Sequence, residues 1–295
     1  MQADNEERYI EDSKTAGLPL IPMILAIGVL AAALGWYFAG PNEDITESPG
    51  ADITPVVPAE PPTPKELEEP PAPDIPEAIV AEPSSRIEPN QMILPAEPEL
   101  TLEQSDPPVR EQLTPVLGNT VLSTSLDNDQ LIDRAAALID ASSQGRVFHQ
   151  VLKLPAPEGA FAVVTQGEAS YASPANYKRY DHYARAIGAV DPTLLAQSFH
   201  TFRPLLEQAY AALGHEADQL DNSLIRALDQ VIAAPVLDAP AMLEKDVTTW
   251  LYADKSLEDL SPLAKQLLRM GPENQAVVQA KARALREALL EPPKP

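Results

Sequence analysis

The chain has 295 residues, no cysteine and a formal net charge of −23. The missing thiols exclude cysteine nucleophiles, disulfides and cysteine-held zinc or iron–sulfur sites, and the acidity repels phosphate backbones and so argues against nucleic-acid binding. The charge is unevenly spread: residues 1–40 carry a net −3, residues 41–115 a net −14 and residues 116–295 a net −6.

In chain order, residues 1–17 read as a cytoplasmic tail and Leu18–Phe38 (LPLIPMILAIGVLAAALGWYF) as a transmembrane helix of 21 uncharged residues, about the length that crosses a bilayer core. Trp36 and Tyr37 stand at its far end, where amphipathic rings favour the interface. Arg8 and Lys14 precede the span and the next basic residue after it is Lys65, so the positive-inside rule leaves the N-terminus in the cytoplasm and the rest outside. Residues 41–115 hold 18 of the 32 prolines, 17 acids against 3 bases, no aromatic residue and one glycine. Such a composition predicts a disordered, extended linker. Two apolar islands interrupt it, Ile75–Val80 (IPEAIV) and Met92–Leu94 (MIL). Short apolar stretches can dock on a partner's sheet edge, but a linker of this length contains a few aliphatic residues by chance, and that is the reading taken here.

Helical periodicity and aromatic residues begin near Val116, so residues 116–292 are expected to form one compact, mainly α domain with a small β-hairpin. Asp127 or Asp129 is placed to cap a first helix whose apolar face carries Leu131, Ile132, Ala135, Leu138 and Ile139. Val147–Leu154 and Ala160–Gln166, joined by PAPEG, read as paired strands, and Val247–Tyr252 leans the same way. Ser173-Pro174, Asp191-Pro192 and Ser261-Pro262 each pair a capping side chain with proline at the first helical position. They open helices through about Gly188, to Leu213 and to Met270, with Pro204 expected to kink or split the second. Leu224, Ile225, Leu228, Val231 and Ile232 mark another helix ended by Pro235, and Pro272 starts a last one to about Leu290.

No catalytic motif stands out. His149, His182, His200 and His215 show no metal-ligand spacing, and neither a nucleophile elbow nor a glycine-rich phosphate loop is present. No cofactor or metal is expected. The candidate binding residues are Tyr177, Tyr180, Asp181, Arg203, Arg269 and Asn274. Tyr177 and Tyr180 share one face of the aromatic run YKRYDHY, where tyrosines serve either as a ligand platform or as the edge of a core. Arg203 precedes the proline that frees a helix carbonyl. Arg269 and Asn274 are the polar groups that the sharp corner LSPLAKQLLRMGPEN does not itself need, which leaves them either to brace it or to bind something there. Gly271 is placed for a left-handed C′ position.

The run LSPLAKQLLRMGPENQAVVQAKARALREAL, preceded in order by SPANYKRYDHYARAI, FRPLLEQAYAALGH and NSLIRALDQVIAAP, resembles the bacterial DUF3014 family over most of residues 127–290. The resemblance implies a Gram-negative envelope protein anchored in the inner membrane, and carries over no catalytic residue. The expected function is a membrane-tethered periplasmic binding or scaffold module, with a periplasmic protein or peptidoglycan as partner. The alternative is a cell-wall or peptide hydrolase working through a pair of carboxylates, which would need two acids of diverging pKa in one cleft.

Overall fold

The computed structural model describes residues 75–76, 100–147, 154–155, 157–247 and 249–291. The predicted tail and span, most of the linker and all but the two end residues of the strand expected over Val147–Leu154 lie outside the described residues. Among the described residues no helix is long and apolar enough to cross a membrane.

The folded unit starts earlier than Val116. Helix α1 (Asp106–Leu117) lies mostly inside the stretch read as linker and buries Val109, Leu113 and Leu117. Its Asp-Pro-Pro opening sets prolines in the first turn, where their missing N–H groups cost nothing. Proline composition alone hid it. A 3₁₀ segment, Val121–Asp127, leads to α2 (Leu131–Ser143). Neither Asp127 nor Asp129 caps α2. Gln130 stands before it in the left-handed region (φ 58°) without a capping side chain, and the amides of Gln130 and Leu131 each donate to the Asp106 carboxylate at 2.8 Å. The cap thus comes from α1, 24 residues away. Arg110, on the same helix, donates to the carbonyls of Leu126 and Asn128, so α1 clamps the entry into α2 at several points.

Four strands follow a meander: β1 (Val163–Gln166), β2 (Ala169–Ala172), β3 (Met242–Asp246) and β4 (Thr249–Tyr252), all antiparallel in that order. Among the described residues the partner of β1 is β2; most of the expected partner, Val147–Leu154, lies outside them. Gln166 pairs with Ala169 across a two-residue turn whose first central residue, Gly167, has φ 62°, the requirement of a type II′ hairpin. This β1–β2 hairpin is half of a four-stranded sheet, closed by β3 from the far side of three intervening helices.

The proline-led helices form as expected. Ser173 caps a 3₁₀ segment, Pro174–Tyr180, that continues into α3 (Asp181–Ala189). Asp191 accepts from the amides of Thr193 and Leu194 at the start of α4 (Pro192–Ala212), which runs on through Pro204 without splitting. After α5 (Leu220–Ala233) and the one-turn α6 (Lys255–Glu258) come α7 (Pro262–Met270) and α8 (Pro272–Leu290). Helix α8 packs on α3, α4 and α5, while α2 packs on α4 and α5. Two buried glutamines on α8 close the end of α5. Gln275 donates to the carbonyls of Ala234 and Pro235, and Gln279 to those of Val231, Ile232 and Ala234. These are carbonyls a helix terminus leaves without an intrahelical donor, and Pro235 offers no N–H to the turn.

One linker residue belongs to the core. Ile75 is only 2% exposed and joins the main apolar cluster, so this residue of its island has a place in the fold.

Candidate functional site

Five of the six candidate side chains meet where the 3₁₀ segment Pro174–Tyr180, the α7–α8 corner and β4 come together. Gly271 forms that corner. It ends α7, with its amide donating to the Leu268 carbonyl, and begins α8, with its carbonyl accepting from the Gln275 amide. Its φ is 80°, as a glycine there should have, but its ψ of 162° is extended rather than left-handed helical. The backbone thus turns straight from one helix into the next. The absent side chain is also needed: a Cβ on Gly271 would lie 2.3 Å from Cγ of Tyr177. The tyrosine ring lies on the bare backbone.

Asn274 braces the same junction. Its amide nitrogen donates to the carbonyls of Tyr177 (3.0 Å) and Met270 (3.1 Å) and to the Asp181 carboxylate (3.0 Å). Two of the side chains singled out as binding candidates, Asp181 and Asn274, are therefore bonded to each other across 93 residues. Tyr180 is 2% exposed, so its ring is core and not part of a surface platform. Tyr177 is half-buried, and burial raises its pKa.

Sequence reasoning missed Tyr252, Glu258 and Lys265 at this place. The Tyr252 pKa is pushed up to about 12, first by burial. The Arg269 charge opposes the rise, and Tyr177, Glu258 and Tyr180 add to it, which puts all five groups within electrostatic range. Glu258 accepts from the Tyr252 amide (2.9 Å) and from the Lys265 ammonium (2.7 Å). Burial works to raise its pKa, but the Lys265 and Tyr252 hydrogen bonds and the charges of Lys265 and Arg269 outweigh it and hold the carboxyl below its ordinary value. The only sequence signal for Tyr252 was its β-leaning run; nothing local linked it to residues some 75 positions earlier.

Around this cluster the 154–160 loop is also tied down. Tyr183 donates its hydroxyl to the Pro155 carbonyl, and Arg179 donates to those of Glu158 and Pro157. The Asn176 side chain pairs with both backbone groups of Ala162 at 2.8 Å, as a neighbouring strand residue would.

Arg203 stands apart from the other five. Its Nε donates to Glu207 (2.8 Å), one terminal nitrogen to the buried Asp221 (2.7 Å), and the other to the carbonyl of Ile75 (3.4 Å). His200, one turn earlier, has its pKa lowered by burial and then by the Arg203 charge.

Among the described residues no group of three or more histidines and acids is arranged to hold a metal. A cavity between Leu122, Ile187, Leu195 and Leu285 has about 10 Å³ open to water, room for one molecule at most. A shallow, open groove runs beside Asp229, Arg283, Arg286 and Glu287 at the end of α8, where Arg286 is paired with Asp229 at 2.9 Å.

These features define a helical domain built on one central helix, with a four-stranded antiparallel sheet to the side and a polar brace at the helix–helix corner. Residues 131–286 match the family described as Protein of unknown function (DUF3014), and the chain belongs to that family. Comparison with curated proteins and with solved structures found no match.

Proposed function

We propose that this protein is a single-pass bacterial inner-membrane protein whose folded unit is held in the periplasm as a binding or scaffold module. The uncharged run Leu18–Phe38 and the acidic, proline-rich stretch behind it support the placement. One observation carries the choice of binding over catalysis. The polar groups at the conspicuous α7–α8 corner are engaged in holding the fold, whereas large apolar side chains are exposed together on the β3–β4 ribbon. Met242, Val247 and Leu251 are all exposed there. Register puts Met242 opposite Tyr171, and Leu251 opposite Glu244, on one face of the sheet. Glu258 already takes the Tyr252 amide at the outer edge of β4, so the face of the ribbon, not its edge, is the surface offered. Its occupant is the apolar surface of a periplasmic protein.

The hydrolase alternative has one carboxyl in its favour. Asp133 has a raised pKa, from burial first and then, against a backbone hydrogen bond, from the charges of Asp106 and Glu103. Asp106, however, is occupied in capping α2.

Because the chain has no native thiol, single cysteines test both halves of the proposal. In cells with a permeabilised outer membrane, an impermeant maleimide should label Gln208→Cys and spare Thr15→Cys; the reverse pattern refutes the orientation. A short thiol-to-amine crosslinker on Met242→Cys should give a discrete adduct that Leu251→Asp abolishes. Purified full-length chain incubated with sacculi should release no muropeptides, and their release would overturn the non-enzymatic reading.

A further inference from the structure

Two residues singled out for unrelated reasons, Ile75 in a linker island and Arg203 before the α4 proline, meet in the fold. Ile75 lies 128 positions from Arg203, yet its carbonyl accepts from that guanidinium and its side chain is sunk to 2% exposure in the main core. The arginine is held ready for such a contact. Two of its three nitrogens are fixed by carboxylates, one on its own helix and one on α5, and Asp221 is itself buried. Anchoring at two points sets the plane of the fork and turns the third nitrogen outward as a directed donor. The peptide it meets suits that arrangement. Pro76 follows Ile75, and a residue before proline is confined to extended conformations, so less chain entropy is lost when it docks. Proline also has no amide N–H to leave unsatisfied beside an apolar surface.

We propose that Arg203 and the apolar surface beside it form a docking site for an aliphatic–proline peptide segment, and that Ile75–Pro76 of the chain's own linker occupies it. The linker is thereby clipped to the domain it carries. The consequence for reach rests on the anchored reading above; the clip itself does not. Counted from residue 41, a chain stretched to its limit spans about 120 Å to Ile75 and about 205 Å to Leu100, at roughly 3.5 Å per residue. The clip thus sets a membrane-to-domain distance little more than half of what the released linker allows. A partner peptide of the same chemistry would compete for the site and lengthen the tether.

The test uses the full-length chain in detergent. Ile75→Cys supplies the single thiol, and its rate of reaction with a maleimide is compared with that of the same chain in denaturant. Protection of ten-fold or more is expected in the folded protein. Arg203→Lys, which keeps the charge but not the three-way fork, should remove most of it, while an unchanged far-ultraviolet circular dichroism spectrum and urea transition of the variant report an intact fold. A thiol at position 75 that reacts at the unfolded rate in otherwise folded protein overturns the clip. The second measurement is fluorescence polarisation of a labelled synthetic peptide of residues 70–82. It should bind chain carrying Ile75→Ser at least ten-fold more tightly than native chain, whose site is filled at the high effective concentration of a tethered ligand. Equal binding to both chains, or no binding to the Ile75→Ser chain at millimolar peptide, overturns recognition of the segment and leaves Ile75 as an ordinary core residue.

Discussion

Replacing Gly271 by alanine tests the geometry of the α7–α8 corner directly. The new Cβ would stand 2.3 Å from Cγ of Tyr177 and 2.7 Å from both Cδ atoms. Ordinary carbon contacts begin near 3.5 Å, so the ring must retreat by about 1.2 Å. It has little freedom to do so, because the Tyr177 carbonyl accepts from Asn274 and the preceding Asn176 side chain is paired with Ala162. Overpacking of this kind costs about 1–3 kcal/mol. The backbone adds a second cost, because φ 80° with ψ 162° is a region open essentially to glycine alone, at about 1–3 kcal/mol for any other residue. The sum, about 2–6 kcal/mol, is a large share of the 5–15 kcal/mol that typically holds a domain together. Urea unfolding of the full-length chain in detergent, followed by far-ultraviolet circular dichroism, measures it. Pairing the change with Tyr177→Ala separates the two costs: the double variant should regain the overpacking share, giving a favourable coupling of about 1–3 kcal/mol, while the backbone share persists. A Gly271→Ala protein within about 0.5 kcal/mol of the native one, or costs that simply add, would refute the reasoning.

Other outcomes follow from the same structure. A fragment beginning at Val116 loses the buried side chains of Val109 and Leu113, worth about 3–6 kcal/mol together, and the Asp106 cap besides. It should show no cooperative unfolding, whereas one beginning at Leu100 should. Gln279→Met keeps the side-chain volume but removes the donor to three carbonyls at the end of α5; it should lower stability by about 1–3 kcal/mol, and a neutral result would mean those carbonyls do not need it. The depressed Glu258 pKa means that the unfolded chain binds this proton more readily than the folded one. Its stabilisation is therefore present above the ordinary value of 4.5 and lost as pH falls through the lower folded value. Glu258→Gln should flatten that part of the stability–pH curve and leave the remainder unchanged. His200 acts in the same direction higher up: with its pKa lowered, stability should decline as pH drops below about 6.5, the ordinary value for histidine, and His200→Phe should remove that decline.

What the sequence determined by itself was whatever depends on neighbours along the chain. Ser173-Pro174, Asp191-Pro192, Ser261-Pro262 and Pro272 start their helices where proline and capping chemistry require, and Gly271 has the positive φ that its place between two helices implied. These are effects over three or four residues, set before any packing occurs. The tertiary structure decided everything that couples distant segments. Helix α1 was hidden because dense proline and acid look like linker until Asp106 is seen capping a helix 24 residues on. The pairing of β1 with β2 was not foreseen because strand pairing is a choice among edges, and the Gly167 turn between them is read only once the register is known. Tyr252 could not be placed beside Tyr177, nor Asn274 beside Asp181, because burial and hydrogen bonding act through space and leave no spacing in the chain. Ile75 is the sharpest case. As a sequence it is one aliphatic residue in an acidic, proline-rich run, and only the fold brings it under the guanidinium of Arg203.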